Sequence, residues 1–491
     1  MNILLLYPEY PNTFWSFKHA LKFIRKGASY PPLGLLTVAA MLPKDWNLKL
    51  IDLNTNKLKK KSLEWADYCF ISAMSIQEQS VRALSTMCAG AGKKIIAGGP
   101  LFSSNPNQFA DIDYLVLDEA EETLPRFLSD LEAGVAKRVY RSKDWPDISK
   151  TPLPRWDLID MDDYACMNIQ YSRGCPFNCE FCDIVSLYGR IPRTKTKQQV
   201  LSELSALYER GWRGGVFFVD DNFIGNKKKL KGEILPAITS WMEDHNYPFS
   251  FTTEASVNMA DDDELLEAMV KAGFATVFLG IESPNEESLV ECNKTQNVNR
   301  DLLVCIKKIQ AKGLMVHGGF IVGFDNDHPG VFEGLIRFIE DSGIIVAMVG
   351  LLNAPRGTKL YKRLDKEKRL LKNMTGDNTD FSMNFIPKMD YNLLVDGYQK
   401  VVASIYSPAA YYQRVKEFLE GFNPRTRRAF KFDWGYVVAF FKSIFLLGTL
   451  GKERTHYWKL FFWSLFRRPR LFPMAITYAI YGFHFRKIFK A

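Results

Sequence analysis

The segment Tyr171-Ser-Arg-Gly-Cys175-Pro-Phe-Asn-Cys179-Glu-Phe-Cys182 places three cysteines close together in the spacing Cys-x₃-Cys-x₂-Cys. Three thiolates on one loop are able to bind three irons of a four-iron, four-sulfur (4Fe–4S) cluster, and the fourth iron then lacks a protein ligand. A structural zinc site needs four closed ligands, and the closest further candidates are Cys166 and His245. The segment therefore predicts a cluster with one open iron; a zinc loop and three incidental thiols are the alternatives.

This loop resembles that of the radical S-adenosylmethionine (SAM) enzymes, including the aromatic Phe181 before the last cysteine. The resemblance implies that Cys175, Cys179 and Cys182 hold the cluster and that its open iron binds the methionine end of SAM. It also implies that an electron from the cluster cleaves SAM to a 5′-deoxyadenosyl radical, so an electron donor such as ferredoxin or flavodoxin is an expected partner.

Length and composition indicate a globular protein of two or three domains. The chain has 491 residues, of which 47% are hydrophobic and 24% charged. The other five cysteines are scattered and show no spacing for a disulfide framework or a second cluster, and a low-potential cluster favours the cytoplasm. The first residues contain only a short apolar run without a basic stretch, which predicts a first strand and not a signal peptide.

Residues 1–140 alternate short apolar strands with helical stretches. This alternation predicts a Rossmann-like, doubly wound parallel sheet, which binds ligands where its strands end in loops. The predicted strands are Ile3–Tyr7, Leu48–Leu53, Tyr68–Ser72, Lys94–Ala97 and Tyr114–Leu117, with helices at Leu33–Leu42 and Ser80–Ala91.

The same region resembles the cobalamin-binding domain that precedes the cluster loop in one large radical SAM class, class B, through Pro31-Pro32-Leu33-Gly34 and Gly98-Gly99-Pro100. The Asp-x-His-x-x-Gly motif that gives cobalt a histidine in methionine-synthase-type domains is absent, as it usually is in the radical SAM class; His19 is the one histidine here. A domain that binds nothing is the alternative. The contacts that the resemblance implies for cobalamin are Pro8, Pro32, Leu33, Gly34, Ser72, Met74, Ser75, Gly98, Gly99, Pro100 and Glu119.

Residues 141–165 are rich in Pro, Asp and Trp and predict a linker to a second βα unit over residues 166–360. That unit has the pattern of a partial (β/α)₆ barrel, in which chemistry occurs at the carboxyl ends of the strands. The predicted strands are Met167–Tyr171, Gly215–Asp220, Phe249–Glu254, Thr276–Ile281, Val316–Val322 and Ala347–Leu352. The predicted helices are Gln198–Arg210, Asp261–Ala272, Arg300–Lys312 and Pro329–Asp341.

Polar groups follow these strands in the order expected of a radical SAM barrel. Two adjacent carboxylates and an amide, Asp220-Asp221-Asn222, suit the cationic ammonium of SAM. The strand ends Gly280-Ile281-Glu282-Ser283 and Gly319–Phe324 resemble family motifs. The SAM contacts that this resemblance implies are Phe181, Asp220, Asp221, Asn222, Glu254, Ser256, Glu282, Ser283, Val322 and Gly323. We assign no catalytic acid or base, because an unactivated C–H bond has no acidic proton to remove. His317 is a weaker candidate for a contact inside the barrel.

Residues 361–491 are predicted to be helical and end in an aromatic, basic tail. Residues 425–491 contain fourteen Lys/Arg against Asp433 and Glu453, so the net charge of +9 comes from the tail, and a nucleic-acid partner is not expected. The aromatic runs Trp434–Leu450, Tyr457–Phe466 and Tyr478–Phe489 are too short and interrupted to span a bilayer. Aromatic faces bordered by cations instead predict peripheral contact with an anionic membrane. A helical cap on the barrel or a dimer contact is the alternative.

The run from Tyr7 to Lys22 resembles a subgroup of these proteins that includes the hopanoid C-2 methylase and the archaeal tetraether ring synthases. The resemblance implies cobalamin-dependent C-methylation of an unactivated carbon in a hopanoid-like isoprenoid lipid. Radical C–C bond formation or cyclisation on a membrane lipid chain is the alternative, and a non-catalytic cluster-binding protein is a third.

Overall fold

The first residues form a six-stranded sheet in which every strand is parallel to its neighbours, in the order β2-β1-β3-β4-β5-β6. The computed structural model describes residues 1–371, 374–377, 379–424 and 434–490. The strands are β1 Asn2–Tyr7, β2 Asn47–Asp52, β3 Tyr68–Ser72, β4 Lys94–Gly98, β5 Tyr114–Val116 and β6 Val139–Tyr140. The helices around them are α1 Lys18–Ile24, α2 Leu33–Met41, α3 Lys60–Trp65, α4 Glu78–Gly90, α5 Pro100–Ser104 and α6 Ala120–Glu132.

A second sheet of six parallel strands follows, in the order β14-β13-β12-β11-β10-β7, and forms the partial (β/α)₆ barrel. Its strands are β7 Met167–Ile169, β10 Gly215–Phe218, β11 Ser250–Ala255, β12 Phe274–Glu282, β13 Met315–Val322 and β14 Ala347–Leu351. A short antiparallel pair, β8 Ser172–Arg173 and β9 Arg193–Thr194, brackets the cysteine loop. The helices are α7 Ile184–Tyr188, α8 Lys197–Glu209, α9 Lys227–Lys229, α10 Leu235–Asp244, α11 Asp263–Lys271, α12 Glu286–Glu291, α13 Leu302–Ala311 and α14 Val331–Ser342.

The C-terminal region is helical, as predicted. Its helices are α15 Lys359–Lys366, α16 Tyr391–Ile405, α17 Pro408–Gly421, α18 Trp434–Ser443, α19 Arg454–Arg467 and α20 Phe472–Phe489. Two π-helical stretches, Leu230–Ile234 and Ile444–Thr449, precede α10 and follow α18. No helix of the described residues is both long and apolar enough to cross a membrane. Four of the basic residues counted in the tail (Arg425, Arg427, Arg428 and Lys431) lie outside the described residues, as does Asp433.

The predicted fold class is confirmed; β3 has the predicted bounds, and those of the other predicted strands agree to within two residues. No element was predicted at β6, the pair β8–β9, α1, α3, α5, α6, α7, α9, α10 or α12, whereas α17 lies in the region that was predicted to be helical. The segment from α9 to α10 was missed because the run of three lysines and Gly232 hides its helical periodicity. Along the chain, the first sheet ends before residue 141 and the second sheet begins after residue 165. The domain boundaries at 140, 165 and 360 stay predictions.

Helix α20 is a packed element and not a surface helix. Its Phe485 stacks on Phe14, with the ring centroids 4.4 Å apart, and Phe489 stacks on Tyr406 at 5.5 Å. The Tyr478 hydroxyl lies 3.1 Å from the sulfur of Met315, the first residue of β13, so α20 covers the amino end of the barrel. The third aromatic run, Tyr478–Phe489, is therefore part of a helical cap on the barrel. The hypothesis of membrane contact then concerns only the first two runs, which lie in and around α18 and α19.

We expect Gly482→Ala to destabilise the protein, because a Cβ atom there would lie 2.8 Å from Cδ1 of Tyr411 and 3.0 Å from Nη1 of Arg486. Overpacking of this kind costs about 1–3 kcal/mol. The matched control is Gly334→Ala in α14, where no atom lies within 4 Å of the added Cβ; replacing a helical glycine there stabilises by up to about 1 kcal/mol. Urea unfolding followed by circular dichroism measures both, and equal effects would contradict the packing described for α20.

Candidate active site at the carboxyl ends of the barrel strands

The cysteine loop and the predicted polar residues meet at one end of the barrel. The loop follows β7, Asp220 follows β10, Ser256 follows β11, and Ser283 follows β12. Because these strands are parallel neighbours, their carboxyl ends lie at the same edge. The sequence-predicted SAM residues are therefore brought together.

Two adjacent carboxylates fix the chain that enters the cysteine loop. Asp220 accepts hydrogen bonds from the backbone N–H groups of Tyr171, at 3.3 Å, and of Ser172. Asp221 accepts one from the N–H of Gly174 at 2.7 Å. Both carboxylates thus hold backbone within four residues of the first cysteine, a role that sequence reasoning did not foresee; a direct contact with SAM stays a prediction.

The three cysteines are free, half-buried thiols. The amide nitrogen of Asn222 lies 3.8 Å from the sulfur of Cys175, and that of Gln296 lies 3.7 Å from the sulfur of Cys179. Among the described residues, no three His, Cys, Asp or Glu side chains converge on a single metal ion. Three free thiols on one loop suit a cubic cluster, because each thiolate of such a cluster binds a different iron.

A buried cation lies beside the thiols. Lys294 forms a 2.6 Å ion pair with Glu282, and only 11% and 8% of the two side chains are exposed. Burial alone lowers the pKa of Lys294, but the charges of Glu282 and then Cys179 outweigh it and raise the pKa above the ordinary value. The lysine therefore stays charged and offsets negative charge at the cysteine loop. Glu282 is paired with Lys294 in this structure. Its contact with SAM stays a prediction.

A salt-bridge network joins the first sheet to the cysteine loop. Arg173, two residues before the first cysteine, pairs with Glu119 at 2.7 Å and with Glu121 at 2.8 Å. Arg193 of β9 pairs with Glu119 at 2.8 Å. These side chains are between 3% and 16% exposed, so water screens the network weakly. The carboxylate of Glu119, a predicted cobalamin contact, is occupied by these arginines.

Three carboxyl groups at this end of the barrel have pKa values well above the ordinary values of Asp and Glu. Burial raises the pKa of Glu254 to about 7, and the charges of Asp221 and then Asp220 add to the shift. Burial likewise raises the pKa of Asp220 to about 7 and that of Asp221 to about 6. The folded chain therefore binds more protons than the unfolded chain around pH 6, and the contribution of these groups to stability falls as pH rises through about 6–7. A cation placed among the three would relieve their repulsion.

The remaining predicted SAM residues line the ends of β12 and β13. Val322 is buried, and Gly323 has a φ of 106°, a conformation that favours glycine. The N–H of Gly323 donates to Asp327 at 2.7 Å. Phe181 of the cysteine loop contacts Phe324, with ring centroids 6.2 Å apart. The loop and the end of β13 thus form one surface.

The predicted cobalamin residues follow β1, β3, β4 and β5 at the carboxyl edge of the first sheet, apart from those at the start of α2. Met74 is 49% exposed, and a Cβ atom at Gly34 would meet nothing within 4 Å, so there is open space beside both residues. Gly99 has a φ of 96°, and a Cβ there would lie 2.9 Å from the hydroxyl of Ser72. The ring of His19 lies beside that of His484, with the centroids 5.6 Å apart. None of the predicted cobalamin contacts at the edge is a histidine.

Comparison with known proteins agrees with this geometry. Family models match at residues 24–128 (B12 binding domain), 169–339 (Radical SAM superfamily) and 358–491 (Domain of unknown function, DUF4070). An uncharacterized methyltransferase of Synechocystis sp. is 41% identical, over 99% of this chain and 91% of its own. The hopanoid C-2 methylase of Rhodopseudomonas palustris is 33% identical, over 93% of this chain and 88% of its own.

The chain belongs to the cobalamin-dependent radical SAM methyltransferases. Its fold is also that of the methyltransferase TsrM from Kitasatospora setae, with a TM-score of 0.64 at 13% identity over 96% of this chain and 99% of the other. The protein is an enzyme whose cofactors are a 4Fe–4S cluster, SAM and cobalamin. The free thiols beside a buried cation, and the open edge of the first sheet, fit these groups.

Several residues of this site were missed from the sequence. Arg173 directly precedes Gly174-Cys175, and Lys294 and Gln296 stand in the run Cys292-Asn-Lys-Thr-Gln296. Among these residues, only Arg173 could have been found from the sequence, because it stands two residues before Cys175. Lys294 is more than a hundred residues from the loop, and nothing in its local sequence predicts that contact.

We expect SAM binding to release protons near pH 7. A cation among the three carboxyl groups lowers their pKa values, so a group that is partly protonated before binding loses its proton. Calorimetry of cluster-loaded protein without reductant, in buffers of different ionisation enthalpy, measures this release. Glu254→Gln should reduce it and Glu132→Gln, at an exposed position of α6, should not. Binding without any buffer dependence would contradict the proposed placement of SAM.

Proposed function

We propose that this enzyme methylates an unactivated carbon of a hopanoid-like isoprenoid lipid. The observation that carries the proposal is the group of aromatic side chains that meet on the inner face of the barrel. The sequence identity of 33% with the hopanoid C-2 methylase of Rhodopseudomonas palustris supports the same substrate class.

The inner face of the barrel is identified by register and by partial exposure. Glu254, Phe278 and His317 are paired across β11, β12 and β13, so they share one face. Phe278 and His317 keep accessible surface, while their chain neighbours Val277, Leu279 and Val316 are buried against the outer helices. The accessible face therefore turns inward.

Aromatic side chains from the N-terminal segment complete this interior. Trp15 contacts Phe278, with centroids 5.4 Å apart, and Tyr30 contacts Phe217 at 5.2 Å. Tyr30 is 38% exposed, and yet burial raises the pKa of its phenol well above the usual value. Because the Tyr30 side chain is accessible and yet surrounded by protein, it lines an internal cavity.

Polar side chains share this face: Asn168 and Thr252 are paired with Phe217 on the neighbouring strands, and Thr276 is paired with Thr252. Burial lowers the pKa of His317 to about 4, so this imidazole is neutral at pH 7. Glu254 belongs to the SAM side of the cavity. An isoprenoid offers neither charge nor several hydrogen-bonding groups, and its burial against aromatic walls is favoured by about 25 cal/mol per Å² of apolar surface. Such walls also exclude water.

In this proposal Cys175, Cys179 and Cys182 hold the cluster, and residues of the β10–β13 ends orient SAM. When bound, the cluster and SAM supply the radical that removes a hydrogen atom, and cobalamin supplies the methyl group. Asp220 and Asp221 keep the cysteine loop in place. The network of Arg173 with Glu119 and Glu121 fixes the cobalamin domain relative to that loop.

The exposed faces of α18, of the π-helical stretch that follows it and of α19 are proposed to contact the membrane that holds the lipid. Phe441, Phe445, Phe462 and Phe466 are between 50% and 77% exposed, an unusual number of accessible aromatics for one region. Exposed Lys and Arg border them at Lys452, Arg454, Lys459, Arg467 and Arg470. α18 packs on α1 and α20, so this surface lies at the amino end of the barrel, opposite the cysteine loop.

The reaction is tested by product mass. Anaerobically reconstituted enzyme, reductant, SAM labelled in its methyl group and a hopanoid-containing lipid extract should give a lipid heavier by one labelled methylene unit. The Cys182→Ala protein should give none. A lipid that has lost hydrogens through a new C–C bond would contradict methylation, and label confined to water-soluble products would contradict the substrate class.

Membrane contact is tested by sedimentation with vesicles containing anionic lipid. Replacing Phe441, Phe445 and Phe466 together by Ser should lower the partition coefficient at least about tenfold, because each ring loses its place in the interfacial region. The matched control replaces Val135, Val290 and Val304, equally exposed but distant in the chain, by Ser. An equal loss in both proteins, or no loss in either, would contradict this surface.

A further inference from the structure

A basic surface lies directly over the cysteine loop. Residues 356–369 contain seven Lys/Arg against Asp365 and Glu367. Lys359, Lys362 and Lys366 are exposed and spaced by three and four residues, so they share one face of α15. Within the described part of the chain, these three lysines form no ion pair with an acidic side chain.

Helix α15 is bound to the loop by main-chain and side-chain contacts. The N–H of Leu360 donates to the carbonyl of Glu180 at 2.9 Å. Arg363 donates to the two carboxylate oxygens of Glu180 at 2.8 and 3.1 Å. Glu180 stands between the second and third cysteines, so α15 packs against the chain that holds the cluster.

The segment around α7 borders this surface, because the hydroxyl of Ser186 in α7 donates to the carbonyl of Gly357, just before α15, at 3.0 Å. Arg190 donates to the carbonyl of Pro176 at 3.2 Å, which places it against the same loop. Its neighbour Ile191 is 78% exposed. We name the set Lys359, Lys362, Lys366, Arg190 and Ile191 the α15 surface. It combines unpaired positive charge with an exposed apolar side chain at its margin.

We propose that the α15 surface docks a small acidic one-electron carrier protein, of the flavin or iron–sulfur kind. Reductive cleavage of SAM consumes one electron, which the enzyme must receive from outside. The carrier is oxidised by one electron as the cluster is reduced, and that electron then breaks a carbon–sulfur bond of SAM to give methionine and the 5′-deoxyadenosyl radical. Charge complementarity favours an acidic partner here, and opposite charges speed association.

The position of this surface suits an electron carrier better than a lipid bilayer. It lies at the carboxyl ends of the strands, whereas the exposed aromatics of α18 and α19 lie at the amino end. The proposal depends on the radical SAM reaction and not on the identity of the methylated substrate.

The test compares cluster reduction by a protein and by a small molecule. Fully reconstituted enzyme carrying Lys359→Glu, Lys362→Glu and Lys366→Glu is mixed anaerobically with reduced flavodoxin, with reduced ferredoxin, or with dithionite. Loss of cluster absorbance gives the reduction rate, independently of methylation. The control carries Lys44→Glu, Lys94→Glu and Lys137→Glu, which are exposed; Lys94 begins β4, and the other two precede strands of the first sheet.

We expect the α15 variant to be reduced at least about tenfold more slowly by one or both carriers, with an unchanged dithionite rate and an unchanged control protein. Unchanged carrier rates would overturn the proposal. Slower reduction by dithionite as well would also overturn it, because the substitutions would then disturb the cluster itself. Loss of binding to anionic vesicles with normal carrier rates would assign the surface to a membrane instead.

Discussion

Three thiolates held on one short loop, with one iron left for SAM, are the constraint on which the rest of the molecule depends. Such a loop carries several negative charges, and its backbone cannot follow a regular element. The chain stabilises it from every side: Asp220 and Asp221 bind its entering backbone, Arg363 binds Glu180, and Lys294 supplies positive charge. Lys294 and Glu282 form a buried pair, and removing one partner of such a pair costs about 3–5 kcal/mol.

The same contacts relate the three parts of the chain to one another. Arg173 and Arg193 connect the loop to Glu119 of the first sheet, and α15 connects it to the C-terminal helices. The carboxyl edge of the first sheet and the cysteine loop are therefore held together by charge pairs with little exposure to water. At the opposite end, the N-terminal segment and α20 close the barrel with stacked aromatic rings.

The fold class and the succession of strands along the chain could be predicted from the sequence, because alternating strands and helices have a clear period. The convergence of the predicted SAM residues could also be predicted, because the carboxyl ends of parallel strands meet at one edge. The burial of α20 could not be predicted. Its aromatic residues have no strong one-sided pattern, and an aromatic helix flanked by cations has the same composition on a membrane as in a core. The buried pairs of Arg173 and of Lys294 join residues that are distant in sequence, so only the folded chain reveals them. The individual SAM and cobalamin contacts stay predictions.

The central claim is that a hydrogen atom is taken from an apolar lipid inside the barrel. The most direct measurement supplies the reconstituted enzyme with SAM, a reductant and a perdeuterated hopanoid, and determines the deuterium content of the 5′-deoxyadenosine formed. The account predicts one deuterium transferred for each lipid molecule methylated. 5′-Deoxyadenosine without deuterium, at undiminished methylation of the lipid, would contradict it.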